Sequence, residues 1–169
     1  MGGVLADTLQ TLAGRRLKDK KGKEHVLELL PPATEAEIQA FEARLPCPIP
    51  ADVRKTLRVA TGLANGPMEF SLVDLEGFGL EEVFPHAFSI AGDGCGNFWV
   101  LDLLPGTTTW GPVFYACHDP AVVAYQSATL EDFLNESLLM WDSGTRSPID
   151  VVTDDVVARI WHDNPDLMP

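Results

Sequence analysis

The sequence predicts an α+β fold in which a mainly antiparallel or mixed sheet of about six strands is covered by helices. Six short segments rich in β-branched and aromatic residues lie between helical signals, and the connections between them are short. Short connections favour antiparallel neighbours over the helical crossovers of a doubly wound parallel sheet. A chain of 169 residues can bury about 70% of the surface that its unfolded form exposes. We therefore expect residues 1–169 to form a single domain.

The strands are predicted from alternating apolar residues and from turn signals. The segment from Asp19 to Gly22 favours a turn, and the apolar residues on both sides of it predict a hairpin near the N-terminus. The six extended segments that we expect are residues 24–30, 68–73, 87–91, 98–103, 112–116 and 121–125.

Two helices are predicted between the first and second extended segments. The first begins at Thr34, which can form a capping box with Glu37, and it ends before Pro46. Its spacing predicts a buried face of Ile38, Phe41 and Leu45. The second begins near residue 50 and has Gly62 as its expected C-terminal cap. We expect its inward side chains to be Val53, Leu57 and Ala60, with Arg54, Lys55 and Arg58 outside.

Two further helices are predicted after the last strand. One is capped near Thr129 and extends from Leu130 to Met140. The other begins at a cap formed by residues 153–155, and its apolar side could dock on the sheet or on another subunit.

A glycine-rich acidic segment at residues 91–97 leads directly into the strand at 98–103. Gly94 and Gly96 can adopt positive φ without steric cost, and Asp93 and Asn97 can bond to nearby main chain. A phosphate-binding loop would need a third glycine that opens a helix, or a Gly-Lys-Ser/Thr sequence, and neither follows. A calcium loop would need glycine where Phe98 stands. The segment is therefore expected to be a structural turn before a core strand whose two faces are both largely apolar.

Charge is distributed unevenly along the chain. The net charge is −13, and no Lys or Arg occurs between Val59 and Thr145. A surface of this kind repels phosphates, so we expect no nucleic-acid partner. Two interpretations of the acidic charge remain open. It could attract a basic protein partner, or it could serve only to keep the protein soluble.

The basic residues at 15–23 form half of all the positive charge in the chain. The set comprises Arg15, Arg16, Lys18, Lys20, Lys21 and Lys23. It is interpreted either as a solvated hairpin tip or as a contact for an anionic surface, such as the acidic face of a second copy.

Catalytic, metal and redox motifs are absent from the sequence. Cys47, Cys95 and Cys117 are widely spaced and form no CxxC pair, so neither a disulfide framework nor a zinc site is predicted. Cys117 and His118 are neighbours at the end of a predicted strand, where their side chains would point to opposite faces unless the chain turns there, and no GxSxG or HExxH sequence occurs. We expect no enzymatic activity and no cofactor. Without a signal sequence or an apolar stretch of about 18 residues, we also expect a cytoplasmic protein with no membrane contact.

The order of these pieces resembles the SUKH superfamily from about residue 28 to about residue 139. The resemblance rests on the capped helix at Pro31 to Ile38, the helix opened by Ile49 to Val53, the glycine-rich loop, the strand at Trp110 to Tyr115 and the helix at Thr129 to Leu134. Residues 1–27 and 143–169 exceed that core as extensions without an assigned role. The resemblance implies a protein-binding module, which in many relatives is an immunity protein that neutralises a bacterial toxin.

The partner implied by the resemblance is a cognate toxin domain, which we expect to be basic and of the nuclease type. The surface expected to bind it comprises Glu69, Asp74, Glu76, Asp93, Asn97, Trp99, Asp102 and Trp110. A core position is the alternative for each tryptophan. The alternatives for the whole protein are a regulatory or scaffold protein with an endogenous signalling partner and a small hydrolase that uses Cys117 or His118, and a homodimer remains open.

Overall fold

The computed structural model describes residues 4–18, 21–66, 68–73, 86–118, 121–143 and 162. The helix expected after residue 153 lies outside them, apart from the single helical residue His162. The elements in chain order are α1 Val4–Leu12, β1 Arg16–Lys18, β2 Glu24–Val26, β3 Glu28–Leu29, α2 Glu35–Glu42, α3 Ala51–Leu57, β4 Gly62–Ala64, β5 Glu69–Ser71, β6 Ala87–Gly92, β7 Phe98–Asp102, β8 Val113–His118, β9 Ala121–Ser127 and α4 Leu130–Ser143.

The main sheet has seven described strands in the order β3-β4-β5-β6-β7-β8-β9. Each neighbouring pair is antiparallel, so the chain forms a meander in which sequence order equals spatial order. The predicted α+β class is confirmed. The predicted hairpin is also confirmed, because β1 and β2 pair antiparallel as a separate two-stranded sheet.

The additional strand is β4, which the sequence analysis did not predict. We expected Gly62 to cap α3, but the cap is Arg58 and Gly62 pairs with Ser71 of β5. A Cβ atom on Gly62 would lie 2.2 Å from the Phe70 carbonyl oxygen. Glycine is therefore required here by the close approach of two strands and not by a helix end.

The expected segment 24–30 is divided between two sheets. Its first part, β2, pairs with β1, and its second part, β3, pairs with β4. Between them the Leu27 N–H donates to the Arg15 carbonyl at 3.0 Å, and the Gly14 N–H donates to the Leu27 carbonyl at 2.7 Å. These bonds attach the hairpin to the end of α1.

Helix α1 is a second element that the sequence analysis did not predict. Leu5, Leu9 and Leu12 lie on one side of it and are fully buried in the main core. The helix contacts α3 and α4. The N-terminal segment is thus packed into the same core as the meander.

Capping and burial in α2 and α3 mostly follow the prediction. The Glu37 N–H donates to Thr34 Oγ1 at 3.3 Å and the Thr34 N–H donates to Glu37 Oε2 at 2.7 Å, which is the predicted capping box. The expected inward residues are buried except Leu45, which is only partly covered. Arg54 differs from the expectation of an outside position, because its side chain is only 23% exposed.

Both faces of the sheet carry apolar residues, as predicted for β7. One face, called the helix face, packs Leu101 and Trp99 against the core that includes the buried residues of all four described helices. The opposite face, called the back face, holds a smaller cluster around Val100 and Phe114. Cross-strand register places Val123 and Tyr125 of β9 on this back face as well.

Candidate functional site

The acidic loop, residues 93–97, connects β6 to β7 and is organised around one carboxylate. Asp93 Oδ1 accepts hydrogen bonds from the N–H groups of Cys95 at 2.7 Å and Asn97 at 3.2 Å. Asp93 Oδ2 accepts from Asn97 Nδ2 at 2.8 Å. The side chain thereby replaces main-chain partners that a turn of this shape cannot supply itself.

Hydrogen bonds also hold this loop against the end of β8. The His118 N–H donates to Asn97 Oδ1 at 3.2 Å, and His118 Nδ1 lies 2.9 Å from the same oxygen. Because an amide oxygen only accepts, this contact requires the proton of the imidazole to be on Nδ1. Tyr115 donates its hydroxyl to Asp93 Oδ2 over a longer 3.5 Å.

The tip of the loop is exposed and its backbone is restricted. Gly94 and Gly96 have φ values of +75° and +87°, which favour glycine. A Cβ atom on Gly96 would lie 3.1 Å from His118 Cε1, so the absent side chain also admits the imidazole. Cys95, between the two glycines, is exposed.

Glu69 lies beside the acidic loop, although the two are distant in sequence. Glu69 of β5 is the cross-strand partner of Gly92, the residue before the loop. Its side chain is exposed, whereas Asp93 and Asn97 are half-buried. The structure therefore brings three predicted site residues, Glu69, Asp93 and Asn97, to one end of the sheet.

Asp102 does not join this group. It ends β7 and pairs with Ala87, while Phe98 begins β7 next to the loop. Four residues of extended chain separate the two ends of β7 by about 14 Å. The other predicted acids, Asp74 and Glu76, lie outside the described residues.

The two tryptophans proposed as aromatic anchors are on the helix face. Trp99 is half-buried, with ring centroids 5.2 Å from Tyr115 and 5.7 Å from Phe133, and its Nε1 donates to Gln126 Oε1 at 3.3 Å. Trp110 is 5% exposed and packs on aromatic rings of α2 and β6. The expectation that Trp110 is an exposed anchor is wrong, and the alternative of a core position is confirmed for it.

The structure does not bring together the side chains of Cys117 and His118, the pair considered for catalysis. Cys117 and His118 both lie in β8, so their side chains leave opposite faces of the sheet. Within the same ranges, no group of three or more His, Cys, Asp or Glu residues could hold a metal ion. A helix with the length and apolar character of a membrane span is absent from the part of the chain that the structure describes.

Ion pairs join α2 to α3 on the helical side of the molecule. Glu35 pairs with Arg54 at 3.1 Å and with Arg58 at 2.8 Å, and Glu42 pairs with Arg54 at 2.6 Å. The hydrogen bond from Arg58 lowers the pKa of Glu35, and a hydrogen bond from the Ile49 N–H lowers the pKa of Glu42. The positive charges of Arg54 and Arg58, which come just before the acidic half of the sequence, are therefore neutralised by the carboxylates of Glu35 and Glu42.

The sequence analysis missed the structural roles of His118 and Tyr115 at this site. The sequence predicts for His118 only the alternative of a catalytic residue in a small hydrolase. Its position beside Asn97 depends on the pairing of Phe98 with Ala116 and on the length of β8 beyond it. The sequence does show polar residues at the ends of the two apolar strands β7 and β8. It does not show the strand register that brings those two ends together.

Comparison with protein families gives one match that covers most of the described core. The model described as the SMI1 / KNR4 family (SUKH-1) matches residues 32–136. The chain belongs to this family. No curated protein matches the chain. Membership of SUKH-1 fits an immunity or regulatory role that is exerted by binding another protein, in a family whose members are generally non-catalytic.

The SUKH-1 match includes every residue of the acidic loop and its supports. It begins after β3 and ends within α4, so α1 and the β1–β2 hairpin precede it. The site therefore lies in the part of the chain that is shared with the family.

Proposed function

We propose that this protein is an immunity protein that neutralises a cognate bacterial toxin by binding a basic, nuclease-type toxin domain. The observation that carries the proposal is the absence of Lys and Arg between residues 59 and 145 in a chain of net charge −13 that belongs to a protein-binding family. The contact surface is the sheet end formed by the acidic loop and Glu69.

Electrostatic attraction suits the task of intercepting a toxin. Opposite potentials raise association rates above the neutral range of ~10⁵–10⁶ M⁻¹s⁻¹ and oppose the binding of acidic proteins. Arg54 and Arg58 add little to an opposing field, because they are already paired with Glu35 and Glu42. Covering a substrate groove blocks an enzyme without any chemistry in the inhibitor, so the proposal requires no catalytic residue.

The geometry divides the proposed surface into contact and positioning residues. Glu69 is exposed and is the candidate for direct contact with a cation of the partner. Asp93 and Asn97 are engaged in bonds within the loop and position its exposed tip. A loop that is already ordered loses less conformational entropy on binding than a flexible one.

The experiment is co-purification of the protein with the toxic domain encoded by a neighbouring gene, at low and at high salt. Glu69→Lys should slow association about tenfold, since it reverses a charge at the proposed contact. Asp132→Lys makes the same charge change on an exposed residue in the first turn of α4. That turn follows Ser127, which pairs with Val113 at the end of the sheet opposite the acidic loop.

Three outcomes are distinguishable in this experiment. Slower association of the Glu69 variant alone supports the proposed surface. Equal effects of the two variants would indicate that net charge, and not this sheet end, controls binding. Stable binding without loss of toxic activity would favour the regulatory or scaffold alternative that the family also fits.

A further inference from the structure

Strand β9 forms one edge of the main sheet and has little of the usual protection of an edge. It is seven residues long, from Ala121 to Ser127, and within the described residues it pairs only with β8. Its sequence, AVVAYQS, has no charged residue, no proline and no glycine. Charged residues, proline and bulges are the common devices that prevent an edge from pairing with another strand. Of these, β9 has one bulge near its C-terminal end, where Val113 pairs with Ser127 and Phe114 with Tyr125, so that Gln126 is the extra residue.

Helix α4 does not shield this edge along its length. The helix begins three residues after β9 ends, but its Phe133 ring lies 5.7 Å from Trp99 of β7 and 6.4 Å from Phe70 of β5. The helix therefore crosses the helix face toward the centre of the sheet, and its hydrogen bond to β9, from the Ser127 hydroxyl to Glu136 at 2.7 Å, is at the C-terminal end of that strand.

The opposite edge of the sheet has a different character. Strand β3 has only two residues, and one of them is the exposed Glu28. An edge so short offers few main-chain groups to a second strand, and the carboxylate would oppose a like charge. Of the two described edges, only β9 is long enough for extended pairing.

We propose that a second copy of this chain pairs antiparallel with β9, so that the two main sheets become one continuous sheet. A register centred on Ala124 overlaps Ala121 to Ser127 and leaves the bulge at Gln126 near the ends of the overlap, away from the two-fold axis. It places Val123 opposite Tyr125, Val122 opposite Gln126 and Ala121 opposite Ser127 of the partner. A two-fold axis at Ala124 makes each of these contacts occur twice, as a symmetric dimer requires.

Packing favours a second copy as the occupant, and the proposed register keeps the charged side chains of the two copies apart. Two chains of net charge −13 repel each other over most of their surfaces, but this register brings no charged side chain opposite another. Val123 and Tyr125 are on the back face, where Tyr125 packs edge-on against Phe114 with 6.3 Å between ring centroids. A Val123–Tyr125 pair across the axis would extend this apolar cluster from one copy to the next.

The first test is the mass of the full chain by light scattering over a range from micromolar to submillimolar concentration. The proposal predicts a rise from 18.4 kDa toward twice that value. A mass that stays at 18.4 kDa over the whole range would overturn it.

Two proline variants, Val123→Pro and Ala124→Pro, locate the contact. Adjacent residues of an antiparallel strand direct their N–H groups alternately toward and away from the neighbouring strand. One variant therefore removes a bond to β8, and the other removes only an outward donor. We expect the variant that removes only an outward donor to keep the native circular dichroism spectrum and to remain a monomer. If that variant folds and still dimerises, the proposal is refuted.

Hydrogen exchange provides a test that does not depend on a variant folding. Outward amides of β9 should exchange rapidly in dilute solution and be protected at high concentration, while the amides bonded to β8 stay protected at both. Protection of β9 that does not change with concentration, in a sample whose mass has doubled, would place the dimer contact elsewhere and overturn the proposal.

Discussion

Replacing Asp93 with alanine tests whether one carboxylate organises the acidic loop. The substitution removes the acceptor for the N–H groups of Cys95 and Asn97, for the Asn97 side-chain amide and for the longer 3.5 Å bond from the Tyr115 hydroxyl. The loop then loses these side-chain bonds, while the main-chain bond from the Asp93 N–H to the Asn97 carbonyl and the bonds of the flanking strands remain. We expect the folded state to survive with a lower free energy of unfolding.

The magnitude follows from the number and exposure of the lost bonds. A hydrogen bond to a charged group contributes about 1.5–3 kcal/mol when water is excluded, and a typical one about 1 kcal/mol. Asp93 is half-buried, so water replaces part of each bond and the lower figure applies. The three shorter bonds, each partly replaced by water, give a loss of about 2 kcal/mol, to which the long bond from Tyr115 adds little. For a domain of this size, that loss lowers the melting temperature by about 4–8 °C.

Urea unfolding followed by tryptophan fluorescence measures this loss. Glu69→Ala is the matched control, because Glu69 is an exposed carboxylate beside the same loop. An exposed side chain of this kind should change the free energy of unfolding by less than about 0.5 kcal/mol. If the two variants have equal stability, the carboxylate of Asp93 does not hold the loop and the division into contact and positioning residues is wrong.

Three further perturbations probe the frame that carries the site. Gly62→Ala should reduce the free energy of unfolding by about 3 kcal/mol, because its Cβ would lie 2.2 Å from a carbonyl oxygen of β5. The control is Gly106→Ala, at a position with positive φ but open space around it. It should reduce the free energy of unfolding by only about 1 kcal/mol in the same urea assay. Phe133→Ala removes a side chain that is 0% exposed and should lower the free energy of unfolding, measured by thermal unfolding, by about 3–5 kcal/mol. A smaller loss than that of Gly106→Ala would contradict the packing of α4. Glu42 has a pKa below its ordinary 4.5, chiefly because of the Ile49 N–H, so its contribution is complete above that pH and is lost as the pH falls through the lowered pKa. Glu42→Gln should therefore flatten the acid side of a stability–pH profile, and an unchanged slope would refute this linkage.

Locally encoded features of this fold could be predicted from the sequence, and features set by strand pairing could not. The capping box of Thr34 and Glu37 is complete within four residues, so its signal was sufficient. Gly62 was misassigned because a glycine after a helix can either cap the helix or allow a close approach of two strands. Only the position of β5 in the structure distinguishes these two roles. Helix α1 did leave a signal, in the spacing of Leu5, Leu9 and Leu12.

The candidate site shows the same division. The turn at Asp93 and Asn97 was visible as a glycine-rich acidic segment, and it forms as predicted. Its proximity to Glu69 depends on the register of β5 with β6, which a one-residue slip would change. The burial of Trp110 depends on contacts with α2 and β6, which lie far from it in sequence.

Growth of cells that express the neighbouring toxic domain, with and without this protein, is the most direct measurement of the proposed immunity function. Native protein should restore growth, and Glu69→Lys should restore it less than Asp132→Lys at equal expression. Continued growth arrest in the presence of folded native protein, with a neighbour of proven toxicity, would contradict the function proposed for this surface.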